Sequence, residues 1–202
     1  MILALLLAAT GPTALDAERA FAAAAQSDGQ WTAFRRFAAE DATMFTPQPV
    51  RAQDFLKDRK DPAKAIDWWP TASYVSCDGS LAVNTGGWKR PDGAVGYFST
   101  VWMRQKNGGW KWIVDGGDAL KVARIQPKIV KPKPASCKGK PEIDRGGFVL
   151  VGDGSDDFIA ARDETLMSGW KVEKDGSRSF FASIWTGRRW LQVIDDTIAA
   201  PK

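Results

Sequence analysis

The chain has 202 residues, 44% hydrophobic and 26% charged, with a net charge of +4 and no histidine. That balance is globular rather than disordered, and the length suits one large domain or one domain with an appendage. The missing histidine excludes histidine metal sites, Ser-His-Asp and Cys-His nucleophile systems and imidazole acid–base chemistry.

Residues 1–9, MILALLLAA, form an apolar run too short to span a bilayer. Followed by small residues, they read as a secretory signal over 1–12, although the positive segment expected before the run is missing. The competing reading is an apolar helix packed on the domain. Export to the periplasm or beyond is the expectation, and no later run suggests a membrane span.

Thr13 and Asp16 then have the spacing of a helix N-cap, opening a helix that stops at Asp28-Gly29. A second helix is expected over 30–40, with Trp31, Phe34 and Ala38 on one face and Phe37 beside them. So short a turn implies an antiparallel helix pair. A strand over 42–46, a small helix over 51–57 and a loop over 61–70 carrying Trp68 and Trp69 follow.

A strand over 71–77 leads into the most regular part of the chain, Cys77 to Asp118. Asp78-Gly79, Pro91-Asp92-Gly93 and Asn107-Gly108-Gly109 punctuate it as turns of an antiparallel meander. On the middle strand, alternation places Tyr97, Ser99, Val101 and Met103 on one face and Phe98, Thr100, Trp102 and Arg104 on the other. Both faces are partly apolar, so both need cover.

Residues 121–145 carry eight basic against two acidic side chains, with several prolines, and read as an extended linker or surface strap. The basic balance of the chain resides there rather than on a nucleic-acid-binding face; a polyanion-binding tail is the sharper but weaker reading. Residues 146–202 are strand-rich and partly repeat the meander. Gly87-Trp88-Lys89 matches Gly169-Trp170-Lys171, and Phe98, Trp102 and Asp115 match Phe181, Trp185 and Asp195. Gly152-Asp153-Gly154 reads as a turn rather than a phosphate loop, and Ser155-Asp156-Asp157 lacks calcium-loop spacing. Neither metal nor cofactor is expected. Cys77 and Cys137 match no metal spacing: export makes them a disulfide, a cytoplasmic location two free thiols.

Leu15-Asp-Ala-Glu-Arg-Ala-Phe21, Phe37-Ala-Ala-Glu-Asp41-Ala, Asp78-Gly-Ser-Leu-Ala82, Gly87-Trp88 and Trp102-x7-Trp110-Lys-x-Ile-Val-Asp115, in this element order, resemble the nuclear-transport-factor-2-like superfamily. That superfamily includes ketosteroid isomerases and SnoaL-like cyclases. The resemblance covers about 13–120 and implies an α+β fold: N-terminal helices on a curved antiparallel sheet, a cone, here followed by a β-rich C-terminal subdomain. It implies a pocket at the cone mouth, drawn from Trp31, Phe34, Met44, Phe45, Trp68, Trp69, Tyr97 and Trp102. It also implies association through the open sheet face, giving a dimer, or a monomer if the C-terminal sheet covers that face.

Isomerase chemistry needs a carboxylate base and oxyanion donors. Asp41, Asp67, Asp115 and Asp118 are the weak candidates for the base and Tyr97 for the donor. Three functions compete. An exported protein binding a small apolar ligand without catalysis is the first. An isomerase- or cyclase-type enzyme is the second, and requires an aspartate in an apolar pocket. Glycan binding through exposed Trp170, Trp185 and Trp190 is the third.

Overall fold

The computed structural model describes residues 11–143 and 156–200. The apolar run at 1–9, the first part of the strand-rich segment (146–155) and the 152–154 turn within it lie wholly outside the described residues.

Helix α1 spans Ala14–Asp28 and α2 Gln30–Phe37, followed by β1 (Ala38–Phe45), β2 (Pro49–Arg51) and α3 (Ala52–Leu56). The start of α1 is a full capping box: Thr13 accepts from the Asp16 N–H, and the Asp16 carboxylate accepts from the Thr13 N–H at 3.0 Å. The second helix is shorter than expected. Ala38 turns extended, its N–H donating back to the Phe34 carbonyl, and the chain leaves at once as β1 to lie parallel to a later strand. Helical spacing of Trp31, Phe34 and Ala38 therefore overstated the helix, because pairing with a sheet outweighs local periodicity.

The meander follows as β3 (Asp67–Val75), β4 (Leu81–Lys89), β5 (Val95–Arg104) and β6 (Trp110–Leu120). β3 begins four residues earlier than 71 and takes both tryptophans out of the expected loop. Pro70 is tolerated because a register shift falls there and because the outer edge of β3 is paired only at Tyr74 and Val75. The seven-stranded sheet runs β2-β1-β6-β5-β4-β3-β7, with β7 (Lys133–Pro134) supplied by the basic segment. Strong curvature brings neighbouring backbones together. A Cβ at Gly86 would lie 2.0 Å from the Trp69 carbonyl, and one at Gly117 2.0 Å from that of Tyr97. Only glycine fits either place.

The helices fill the concave face. Phe21 is the hub, its ring 4.7 Å from Phe34, 4.8 Å from Trp68 and 5.2 Å from Phe37, with fully buried Trp102 and Trp112 beneath. The convex face carries Leu81, Val83, Val101 and Val114. A second, four-stranded sheet covers it: β8 (Asp156–Ala160), β9 (Leu166–Val172), β10 (Arg178–Trp185) and β11 (Trp190–Ile198), in the order β11-β10-β9-β8. Leu166, Trp170, Phe180, Ala182 and Ile194 meet the convex residues in one apolar cluster.

The internal repeat holds as strand order but not as register. Gly86 faces Phe98 across β4 and β5, whereas Gly169 faces Phe181 across β9 and β10, so Trp88 and Trp170 are not equivalent. The basic segment is a strap rather than a free linker. Ala135 donates to Val75 on the first sheet, Ser136 donates to Trp185 on the second, and Cys77 bonds to Cys137.

Candidate functional site

A cavity of about 520 Å³ opens between the helices and the end of the curved sheet. Its wall is mostly aromatic and apolar: Trp31, Phe34, Met44, Phe45, Phe55, Trp68, Trp88 and Phe98. Two carboxylates, Glu18 and Asp115, lie at its floor, with Asp118 also on the lining.

Asp115 reaches the cavity because of where β1 stops. That strand pairs with β6 as far as Met44 opposite Asp115; beyond it Gly116 and Gly117 carry no side chain to fill the space. Asp115 keeps some accessible surface, yet the aromatic wall removes most of its water. Burial pushes its carboxyl up to about 6, opposed by the Thr100 hydroxyl, which donates to it at 2.7 Å.

Glu18 has no accessible surface. It occupies the apolar stripe of α1 defined by Ala14, Leu15, Phe21 and Ala25, so the helix turns it inward. Trp68 donates to one carboxylate oxygen at 3.0 Å; Trp102 and Asn84 donate to the other at 2.8 and 3.3 Å. Burial nevertheless dominates these donors and, with the nearby Asp115 charge adding to it, pushes Glu18 up to about 7. Gln30 also lines the cavity; its amide oxygen accepts from the Ile66 N–H, leaving its NH₂ group as a donor at the wall.

Of the residues expected at the mouth, Trp31, Phe34, Met44, Phe45, Trp68 and Tyr97 line the cavity. Two do not. Trp102 is buried below the floor with its N–H committed to Glu18. Trp69 alternates away from Trp68 along β3 and packs beside Gly87 instead.

The weak acid candidates separate similarly. Asp41 is exposed in an open groove of about 840 Å³ shared with Arg35, Arg36, Glu40 and Lys111; the groove is larger but holds no buried carboxylate. Asp67 is exposed at the start of β3, outside the cavity. Asp118 sits at the rim, accepting from the Ala119 N–H at 2.7 Å. Tyr97 is buried, its hydroxyl raised above the ordinary tyrosine range by burial and then by Asp196 and Asp118; Arg124 stacks 4.8 Å from its ring centre.

Sequence reasoning missed Glu18. Its signal was a charged residue on the apolar stripe of an otherwise alanine-rich helix. It also missed Arg178, which reaches the cavity from the second sheet. The glycan platform fails: Trp170 and Trp185 are buried, Trp170 at the sheet–sheet interface, and Trp190 packs edge-on to Trp185 at 5.8 Å.

No protein-family model matches the chain, and no curated protein matches it. Among solved structures it is similar to a candidate ketosteroid isomerase from Parabacteroides distasonis, at 17% identity and a TM-score of 0.44, covering 52% of this chain and 87% of that one. It is also similar to a candidate aromatic ring hydroxylase from Novosphingobium aromaticivorans, at 19% identity and a TM-score of 0.39, covering 55% and 90%. A third is the CaMKII hub of S. rosetta, at 18% identity and a TM-score of 0.41, covering 56% and 100%. Such likeness concerns the backbone and carries no residue across.

Proposed function

We propose that the cavity is a proton-transfer site in which Asp115 takes a proton from, and returns it to, a small apolar substrate. The observation that carries this is an aspartate on the lining of an aromatic cavity whose pKa burial raises to about 6. Such a group is a stronger base than an ordinary aspartate and still ionised near neutrality, which general base catalysis requires.

In the simplest case the substrate is a cyclic ketone with a neighbouring double bond. The Asp115 carboxylate accepts the proton between carbonyl and alkene, and the C–H electron pair moves onto the carbonyl oxygen as a dienolate. Asp115 then returns the proton at the far alkene carbon, giving the conjugated ketone. The Gln30 NH₂ group is the neutral donor available to the enolate oxygen. Glu18, inaccessible behind the wall, touches no substrate; it holds the first helix on the sheet beneath the cavity and feels the Asp115 charge through space.

Binding without catalysis needs the cavity alone and is the baseline from which the enzyme departs. The test is conversion of β,γ-unsaturated cyclic ketones to their conjugated isomers, followed by ultraviolet absorbance. Acceleration over buffer that disappears in Asp115→Asn supports the site. A wild-type rate equal to buffer, or an unaffected Asp115→Asn variant, leaves only the binding reading.

A further inference from the structure

We infer that Arg178 makes the cavity a receptor for a carboxylate-bearing apolar molecule, and that the C-terminal sheet supplies this specificity. The inference rests on the cavity being the ligand site and adds the chemical class of the ligand.

Arg178 opens β10 and is 8% exposed. It lines the large cavity and a small one of about 20 Å³ beside it, between the two sheets. One nitrogen, Nη1, donates to the Pro47 carbonyl, and the guanidinium lies 5.9 Å from the centre of the Phe45 ring. Its Nε is buried with no partner, and no carboxylate forms an ion pair with it among the described residues. A guanidinium carries five N–H donors in a planar fork shaped for a carboxylate. Burying it beside one neutral acceptor is unfavourable unless an anion completes it.

The carboxylates nearby are otherwise engaged. Asp196 lines the small cavity, but it accepts from Ser99 at 2.7 Å and its charge is met by Arg124. Asp118 is bonded to the Ala119 N–H at the rim. Asp115 accepts from Thr100 and forms no ion pair with Arg178 among the described residues, and both side chains line the same cavity. A molecule held by its carboxylate at Arg178 places its apolar body against the aromatic wall of the cavity that Asp115 also lines. Electroneutrality favours the same arrangement: the ligand brings the negative charge that the cation lacks.

The test uses the full chain and matched pairs, 2-naphthoate with 2-naphthamide and cinnamate with cinnamamide. Binding is read by calorimetry below the pH at which Asp115 ionises and above the pKa of the free acids. The expected result is at least tenfold tighter binding of each acid than of its amide. Arg178→Met should abolish that preference, and Arg178→Lys, which keeps the charge but not the fork, should retain part of it. Unfolding curves verify that each variant folds; should Arg178→Met not fold, the lysine variant carries the test. Equal affinity of acid and amide in the wild type, an undiminished preference in a folded variant, or no binding of any compound overturns the inference. Failure here with Asp115-dependent isomerisation intact removes only the carboxylate specificity. The converse result removes only the catalysis.

Discussion

The indole N–H of Trp102, on the central strand, donates to the Glu18 carboxylate on the first helix at 2.8 Å, across 84 residues of sequence. This bond fixes how α1 lies on the sheet and places a carboxylate beneath the floor of the cavity. Trp68 and Asn84 complete the arrangement from β3 and β4, so three adjacent strands hold one side chain.

Glu18→Ala should be strongly destabilising. It removes the acceptor for two buried indole N–H groups, each of which costs about 1–3 kcal/mol if left unpaired; the Asn84 amide keeps the Ala14 carbonyl as an acceptor. A fall in the urea midpoint with an unchanged slope would show this; an unchanged midpoint would show that the polar cluster contributes nothing.

The same residue gives stability a pH dependence. The folded chain holds Glu18 and Asp115 protonated to about 7 and 6, above their ordinary values of 4.5 and 3.8. Below the lower values both states are protonated. As pH rises from about 4 to 7 the unfolded chain releases these protons first, so stability falls and then levels. For Glu18 the loss is on the order of 3 kcal/mol. Unfolding between pH 4 and 8 should therefore show wild-type stability declining through this window, and Glu18→Gln flattening the decline. Parallel slopes in the two proteins would refute the assignment.

If Asp115 is the base, isomerisation should rise with pH through an apparent pKa near 6, because only the carboxylate accepts a proton. Glu18→Gln should leave that apparent pKa near 6, because Glu18 is still protonated where Asp115 titrates. A flat profile would exclude Asp115 from the step.

Deleting the second sheet should change the association state. Leu81, Val83, Val101 and Val114 are buried against it and become an exposed apolar face once it is lost. A 1–124 truncation is expected to elute as a dimer or larger species, or to precipitate, while the full chain elutes as a monomer. Equal elution of truncated and full chains as monomers would mean that this face tolerates water.

The Cys77–Cys137 disulfide closes a loop of 60 residues. On a chain-entropy account that contributes about 4 kcal/mol. The Cys77→Ser/Cys137→Ser variant should lose stability of that order, and reductant should affect only the wild type. Insensitivity of the wild type to reductant would show that the loop is already restrained without it.

Much of the fold was legible in the order of residues. Alternation on the central strand assigned Phe98 and Trp102 to one face and Ser99 and Val101 to the other, and the structure keeps that division, the helices on one side and the second sheet on the other. Glycine-bearing turns set the meander, and Thr13 with Asp16 marked the first helix to the residue. Such features are local: a turn, a cap or a two-residue period is encoded within a few neighbours. The start of β1 and of β3 was misplaced where a distant strand, not the local period, decided the backbone.

The site was less legible for the same reason. Sequence named Asp115 only among four aspartates of equal standing, because depth of burial is a property of everything packed around a group. Glu18 looked like an ordinary helix residue until three strands converged on it, and Arg178 like a surface charge until the second sheet docked. What the sequence by itself determined was an α+β meander protein without histidine chemistry, with two apolar sheet faces in need of cover. The tertiary structure alone decided which carboxylates lose their water and which buried cation has no carboxylate beside it among the described residues, because desolvation and charge compensation are set by contacts between residues far apart in the chain.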